Sequence, residues 1–287
     1  MWNTFKLEIK KSVMNKFFLI AVIIGFGITV FSALYNIDRY YYDLETVSRI
    51  ERNTGAVYNP TSAGLTIFNC WIGGEGYTLG SSAFFFIFPI LVAIPYGWSY
   101  CEEKKSGYVR NMAIRSGKAA YYGAKYAAVF LSGGLAMVIP LILNLLLVAA
   151  FVPAVTPDPS YCEYYGIWAS SLMSMLLYSK PLLYVLIYLI IDFIFCGLIS
   201  CFSLVVTAFV KNKVVAVLFP FFIMLGLDYS QKLFPSSTDP SISPMKFLHP
   251  FPLMRQASWT VIILEAVVFS AITFIMTVVR GGKNEIY

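Results

Sequence analysis

The sequence predicts an all-α, polytopic membrane protein, and three observations carry that fold class. Hydrophobic residues make up 59% of the 287 and charged residues only 13%. The mean hydropathy is +0.72. Six apolar runs are separated by more polar stretches. A soluble chain of this length needs far more charge to cover its surface, whereas hydrocarbon accepts apolar side chains directly. The runs lie near the roughly 20 residues that a helix needs to cross about 30 Å of bilayer.

Residues 2–16 place Trp2, Phe5, Ile9 and Val13 on one helical face, with Lys6, Lys10 and Lys11 towards the other. That spacing of three and four predicts an amphipathic helix lying on the membrane surface. The run from Phe17 to Tyr35 lacks a small-residue cleavage site and is nearer spanning length than a signal segment, so 17–35 is the predicted first span. Residues 36–82 are too polar to cross and contain a patch of Gly73, Gly74, Gly76 and Gly80; they form a predicted outer loop. The second span, 83–100, carries Pro89 and Pro95, each of which removes a backbone hydrogen bond and predicts a kink.

After a polar segment at 101–125, the third span covers 126–152 and holds Pro140 and Asn144. The stretch 153–180 opens on PAVTPDP and continues through IWASSLMSMLLY, a semi-apolar piece suited to the interface. The fourth span, 181–210, contains Asp192; a short basic turn, Lys211-Asn212-Lys213, leads to the fifth, 214–229. A Pro-rich outer loop, 230–258, precedes the sixth span, 259–279, which contains Glu265.

An even number of spans puts both termini on one side, and basic residues decide which. Lys6, Lys10, Lys11, Lys16, Lys104, Lys105, Arg110, Arg115, Lys118, Lys125, Lys211, Lys213, Arg280 and Lys283 share one side. The other holds half as many: Arg39, Arg49, Arg52, Lys180, Lys232, Lys246 and Arg255. The positive-inside bias therefore predicts cytoplasmic termini. The acids agree, since Asp38, Asp43, Glu45, Glu51, Glu75, Asp158, Glu163, Asp228 and Asp239 all fall outside. The net charge of +6 then reflects membrane topology, and no nucleic-acid partner is indicated.

The search for catalytic sets excludes more than it finds. Five cysteines form no CxxC pair and, with the single His249, no zinc-ligand spacing, so no metal site is expected. A phosphate loop is missing: Gly117-Lys118 is followed by Ala119 and lacks the upstream glycine. There is no HExxH, and one outer histidine makes a Ser-His-Asp set improbable. Glu102-Glu103 resembles the glutamate pair of CAAX-type membrane proteases, but Gly107 stands where those enzymes need arginine and their histidines are missing. Cys70 and Cys162 both fall outside, where a disulfide can persist; a shared compartment does not by itself put them in bridging distance. Cys196 and Cys201 read as buried apolar fillers.

Asp192 lies about 16 Å into its span at 1.5 Å per residue, and carboxylates at such depth are costly enough to suggest function. It belongs to a substrate path or a subunit interface, or is a carboxyl bonded to a neighbouring helix. Glu265 is shallower and reaches the interface, and Asn144 suits a bond between helices better than a ligand.

The segment 101–125, CEEKKSGYVRNMAIRSGKAAYYGAK, carries the remaining signal. Gly107 and Gly117 bracket a short predicted helix, because glycine ends helices readily. Val109, Met112 and Ala113 fall on one side of it, flanked by Arg110 and Arg115, an apolar ridge with a charged rim. The positive-inside bias alone accounts for the basic residues but not for Glu103, Gly107 and Tyr122. Glu103, Gly107, Arg115, Tyr122 and Lys125 resemble the E-x-x-x-G, basic turn and Y-x-x-x-K region after the second helix of ABC-2-type exporter permeases. The six spans, inner termini, amphipathic start and FLHPFPLM before the last span are also similar to that family, although the first outer loop is longer than in many small members.

The resemblance implies that this segment, Glu102 included, is a coupling helix seated in a groove of a nucleotide-binding ATPase subunit, with ATP and Mg on that partner and no cofactor on this chain. It also implies a second permease copy, in a homodimer or heterodimer, in a bacterial plasma membrane, moving a peptide, lipid or drug-like substrate outward. The rival expectation is a non-transporting membrane sensor or scaffold whose long outer loop binds a ligand such as an antimicrobial peptide.

Overall fold

The computed structural model describes residues 2–55, 64–162, 166–233, 240–251, 256–279 and 281. Glu163, Asp239, Arg255, Arg280 and Lys283, which enter the charge balance above, lie outside the described residues. All regular structure among the described residues is helical. In chain order the helices are α1 (Trp2–Val13), α2 (Lys16–Thr54), α3 (Ile67–Cys70), α4 (Leu79–Ala93), α5 (Ser99–Lys105), α6 (Tyr108–Ser116) and α7 (Lys118–Ala149). After a 3-10 turn at Pro159–Tyr161 follow α8 (Ser174–Ser179), α9 (Pro181–Thr207), α10 (Lys213–Lys232), α11 (Pro244–Phe247) and α12 (Trp259–Phe274). The last continues into a π-helical turn, Ile275–Val279.

Among the described residues, five helical segments are long and apolar enough to cross a membrane: α2, α7, α9, α10, and α12 with its π turn. The sixth apolar run forms a shorter helix. α4 has 15 residues, which reach about 22 Å at 1.5 Å per residue. It starts at Leu79 rather than 83, with Thr78 accepting a hydrogen bond from Ser81 N as its cap. It stops at Ala93 because Pro95 follows the C-cap; turns fill the gap until α5 begins at Ser99. Pro89 is accommodated inside α4, where it is buried.

α2 is longer than its predicted span: it runs 39 residues to Thr54, about 58 Å, before Gly55 at φ 67° ends it. Much of the predicted outer loop is thus helix. Residues 56–63 of it lie outside the described residues, and 64–81 turns inwards and is largely buried. Most of its buried polar side chains find partners there, the Trp71 indole N–H being an exception among the described residues. Glu75 accepts from Ser32 Oγ at 2.7 Å, from Thr78 Oγ1, and from the backbone N–H groups of Tyr77 and Thr78. Irregular backbone at such depth is tolerated only where protein supplies partners.

α7 and α9 form the central pair, against which α2, α4 and α12 pack. Their close approach depends on small residues: a Cβ added at Gly133 would lie 2.4 Å from Ser200 Cβ. α1, α5 and α6 gather at one end of the bundle. At the other end, His249 ties its loop to α4. Its Nδ1–H donates to Phe251 O at 2.8 Å, and its Nε2 lies 3.0 Å from Ser81 Oγ. Burial pushes this imidazole down to about 4, so it is neutral at pH 7. The FLHPFPLM stretch thus has a packing role in its described part.

Candidate functional site

The short helix expected between Gly107 and Gly117 is present as α6, nine residues long. Both glycines have positive φ, 72° and 83°, which L side chains rarely adopt, so the chain turns sharply on either side of α6. No atom stands within 4 Å of where a Cβ would sit at either position, so backbone geometry alone selects glycine there.

The face presented outwards differs from the expected ridge. Val109 is 3% exposed and Ala113 is also buried, while Met112 is half-buried. Val109 packs on Tyr121 and Tyr122 of α7. The chain's own tyrosines therefore take the apolar side that the sequence assigns to a partner. What remains free is Arg110, Asn111, Ile114 and Arg115, with Ile114 77% exposed at the centre.

Beneath α6 lies a charged cluster. Lys125 of α7 is fully buried and sits 2.8 Å from Glu103 Oε2 and 3.3 Å from Glu8 Oε2. Glu8, on α1, is also fully buried and accepts the Tyr96 hydroxyl at 2.8 Å. Tyr121 donates its hydroxyl to Glu103. Lys11 completes the set at 3.5 Å from Glu8 and 3.8 Å from Glu103, with its ammonium 3.9 Å over the Tyr108 ring. Two carboxylates and two ammonium groups balance, which is what makes their burial tolerable. Burial pulls the Lys11 ammonium down, but Tyr108, Glu8 and Glu103 outweigh it and hold its pKa above the ordinary value.

Glu103 and Lys125, chosen from sequence, are thus in direct contact. Tyr122 is not their partner: adjacent Tyr121 is, and Tyr122 instead meets Tyr100, hydroxyl to hydroxyl, at 3.0 Å. Glu102 points elsewhere, to Lys213 of α10 at 3.1 Å, an exposed pair worth little. The sequence reading missed Glu8, Lys11 and Tyr96. Glu8 had a signal: it is the only acid before Asp38, and Thr4, Glu8 and Ser12 repeat every fourth residue. Those three are the buried residues of α1, whereas Trp2, first of the predicted apolar stripe, is 64% exposed.

The intramembrane candidates separate. Asn144 ties the inturned segment to α2, accepting from Ile72 N at 2.9 Å and donating to Thr29 O at 2.8 Å, the interhelical role its sequence position suggested. Asp192 is buried with no hydrogen-bond partner for either oxygen among the described residues. Glu265 is half-buried, and its Oε2 has none either. An unpartnered buried carboxyl is a cost that packing alone would not retain. Asp192→Leu is accordingly expected to stabilise the fold by about 1–3 kcal/mol. A thermal melt in detergent checks this, and a variant melting several degrees below the parent would contradict it.

The disulfide considered between Cys70 and Cys162 is not formed; both thiols are free. Cys70 is buried within the inturned segment, where burial pushes its thiol up to about 12, while Cys162 is only half-buried. At pH 8 a maleimide is expected to label Cys162 far faster than Cys70, since the thiolate is the reacting form. Mass spectrometry of the labelled peptides reads the ratio; equal labelling would refute it. Among the described residues no three His, Cys, Asp or Glu side chains gather as a metal site.

The chain matches no family model, no curated protein and no solved structure.

Proposed function

We propose that this chain is the permease subunit of an ATP-driven exporter of the ABC-2 type, working as a pair with a second copy or a related permease. In this reading α4 and the turn after it make the sixth crossing, α1 lies along the inner membrane surface, and both termini are cytoplasmic. ATP and Mg are bound and ATP is hydrolysed on a separate subunit, and a peptide, lipid or drug-like substrate is moved outward.

The observation that carries the reading is the free Arg110, Ile114 and Arg115 face of α6. An apolar centre with a cationic rim suits a groove on a partner protein. The back of α6 is fastened to α7 through Val109 on Tyr121 and Tyr122, and Glu103 at the end of α5 grips Lys125. A push on α6 therefore reaches α7, and through it the α7–α9 core and α2. Asp192, buried and unpartnered in α9, would face a change in surroundings as those helices shift.

The test is co-expression with a P-loop ATPase followed by capture on the tagged chain. The ATPase is expected to co-purify, to be lost on Arg110→Glu, and to drive ATP-dependent uptake into inside-out vesicles. Transport by the chain alone would overturn the proposal. The sensor reading has one feature in its favour: α2 continues beyond 35 as a helix that exposes Tyr41 and Tyr42. It requires an antimicrobial peptide to bind that extension with no ATPase present.

A further inference from the structure

We infer that a cleft between the π turn and the ends of α5, α7 and α9 is a binding site for a phosphate group. The cleft has a volume of about 60 Å³ and is lined by Tyr100, Lys104, Tyr122, Lys125 and Thr277, with apolar walls that include Leu204. One water needs about 10–15 Å³ on this measure, so the space admits a group larger than a single water.

Among the described residues, every polar side chain on the wall offers a donor or a positive charge, and none of them is a carboxylate. Thr277, in the π turn, is buried, yet its hydroxyl has no hydrogen-bond partner among the described residues. The Tyr100 and Tyr122 hydroxyls share one hydrogen bond, which leaves one proton to give. Lys104 forms no ion pair among the described residues. Lys125 adds neither a donor nor net charge, because its ammonium is spent on Glu8, Glu103 and the Tyr96 ring at 4.0 Å. A cation, an orphan donor and a tyrosine proton converging on a space of this size suit a tetrahedral oxyanion. The cleft also lies at the end of a membrane-crossing segment, where lipid headgroups are found. The phosphate can therefore belong to an anionic lipid or be free in solution.

The purified full-length chain, incubated with equimolar phosphatidic acid and phosphatidylcholine, is expected to retain the former about 10-fold more in native mass spectrometry. The Lys104→Gln/Thr277→Val variant should lose that preference, and Thr277→Ser, which keeps the hydroxyl, should retain it. In a second arm, inorganic phosphate is compared with chloride at equal ionic strength for its effect on the melt. Lipid preference that depends on the two residues assigns the site to a headgroup. Stabilisation by phosphate that depends on them, without lipid preference, assigns it to the free ion. Absence of both effects, or identical behaviour of parent and double variant, overturns the inference. Because the melting temperatures are recorded alongside, a double variant that fails to fold is recognised, and Thr277→Val alone then decides.

Discussion

Replacing Lys125 with methionine is expected to cost about 3–5 kcal/mol of stability and to loosen α1 and α5 from α7 together. Lys125 and Glu8 are both fully buried, and Glu103 is nearly so. Without the ammonium, two carboxylates face each other with only Lys11 to compensate, and that side chain is 39% exposed. Breaking one member of a buried ionic set leaves an uncompensated charge, which is why the loss exceeds the net worth of the pair. The melt in detergent should fall on the order of 10 °C. The Glu8→Leu/Lys125→Met double variant removes both charges and should recover much of the loss, because an apolar pair of similar volume no longer leaves an unpaired ion. A Lys125→Met protein that melts like the parent would contradict the arrangement, as would strict additivity of the two substitutions.

The second large effect separates the two faces of α6. If α6 docks on a P-loop ATPase as proposed, Ile114→Asp is expected to weaken capture of the co-expressed ATPase at least 100-fold, roughly 3 kcal/mol, while leaving the melt unchanged. Its side chain is 77% exposed and stands between Arg110 and Arg115, so it does little for the fold. Val109→Asp should do the reverse: at 3% exposure, packed on Tyr121 and Tyr122, a carboxylate there is buried without a partner and lowers the melt. Paired measurements of capture and melting distinguish the two. If Ile114→Asp is captured as well as the parent, the outward face is not the docking face.

How much of this site was readable depends on what each residue needs from its neighbours. Gly107 and Gly117 could be found because a positive φ is a local demand that glycine meets alone. Glu103 and Lys125 were singled out by their spacing in the segment, but their direct contact was not legible, because Lys104, Lys105, Arg110, Arg115 and Lys118 compete for the same carboxylate in sequence. Which tyrosine serves them could not be read, because Tyr121 and Tyr122 differ by one step of helical rotation and only the packing of α7 fixes its phase. Likewise, an amphipathic helix has one apolar side whether its partner is another protein or its own chain. The sequence reading gave Val109 and Ala113 to a partner, but both are buried within the fold, Val109 on Tyr121 and Tyr122 of α7.

Composition and hydropathy by themselves determined that this is a helical chain suited to a bilayer, since hydrocarbon imposes helices on apolar runs whatever their order. The turns at Gly107 and Gly117 were equally local matters. Tertiary structure alone decided that Glu8 belongs with Lys125, that Asn144 is spent on α2 and the inturned segment, and that Asp192 is left without a partner. It also decided that α4 stops short and that 64–81 folds inwards. Each of these depends on groups distant in sequence meeting in a space without water, where a polar side chain must find a partner or go without.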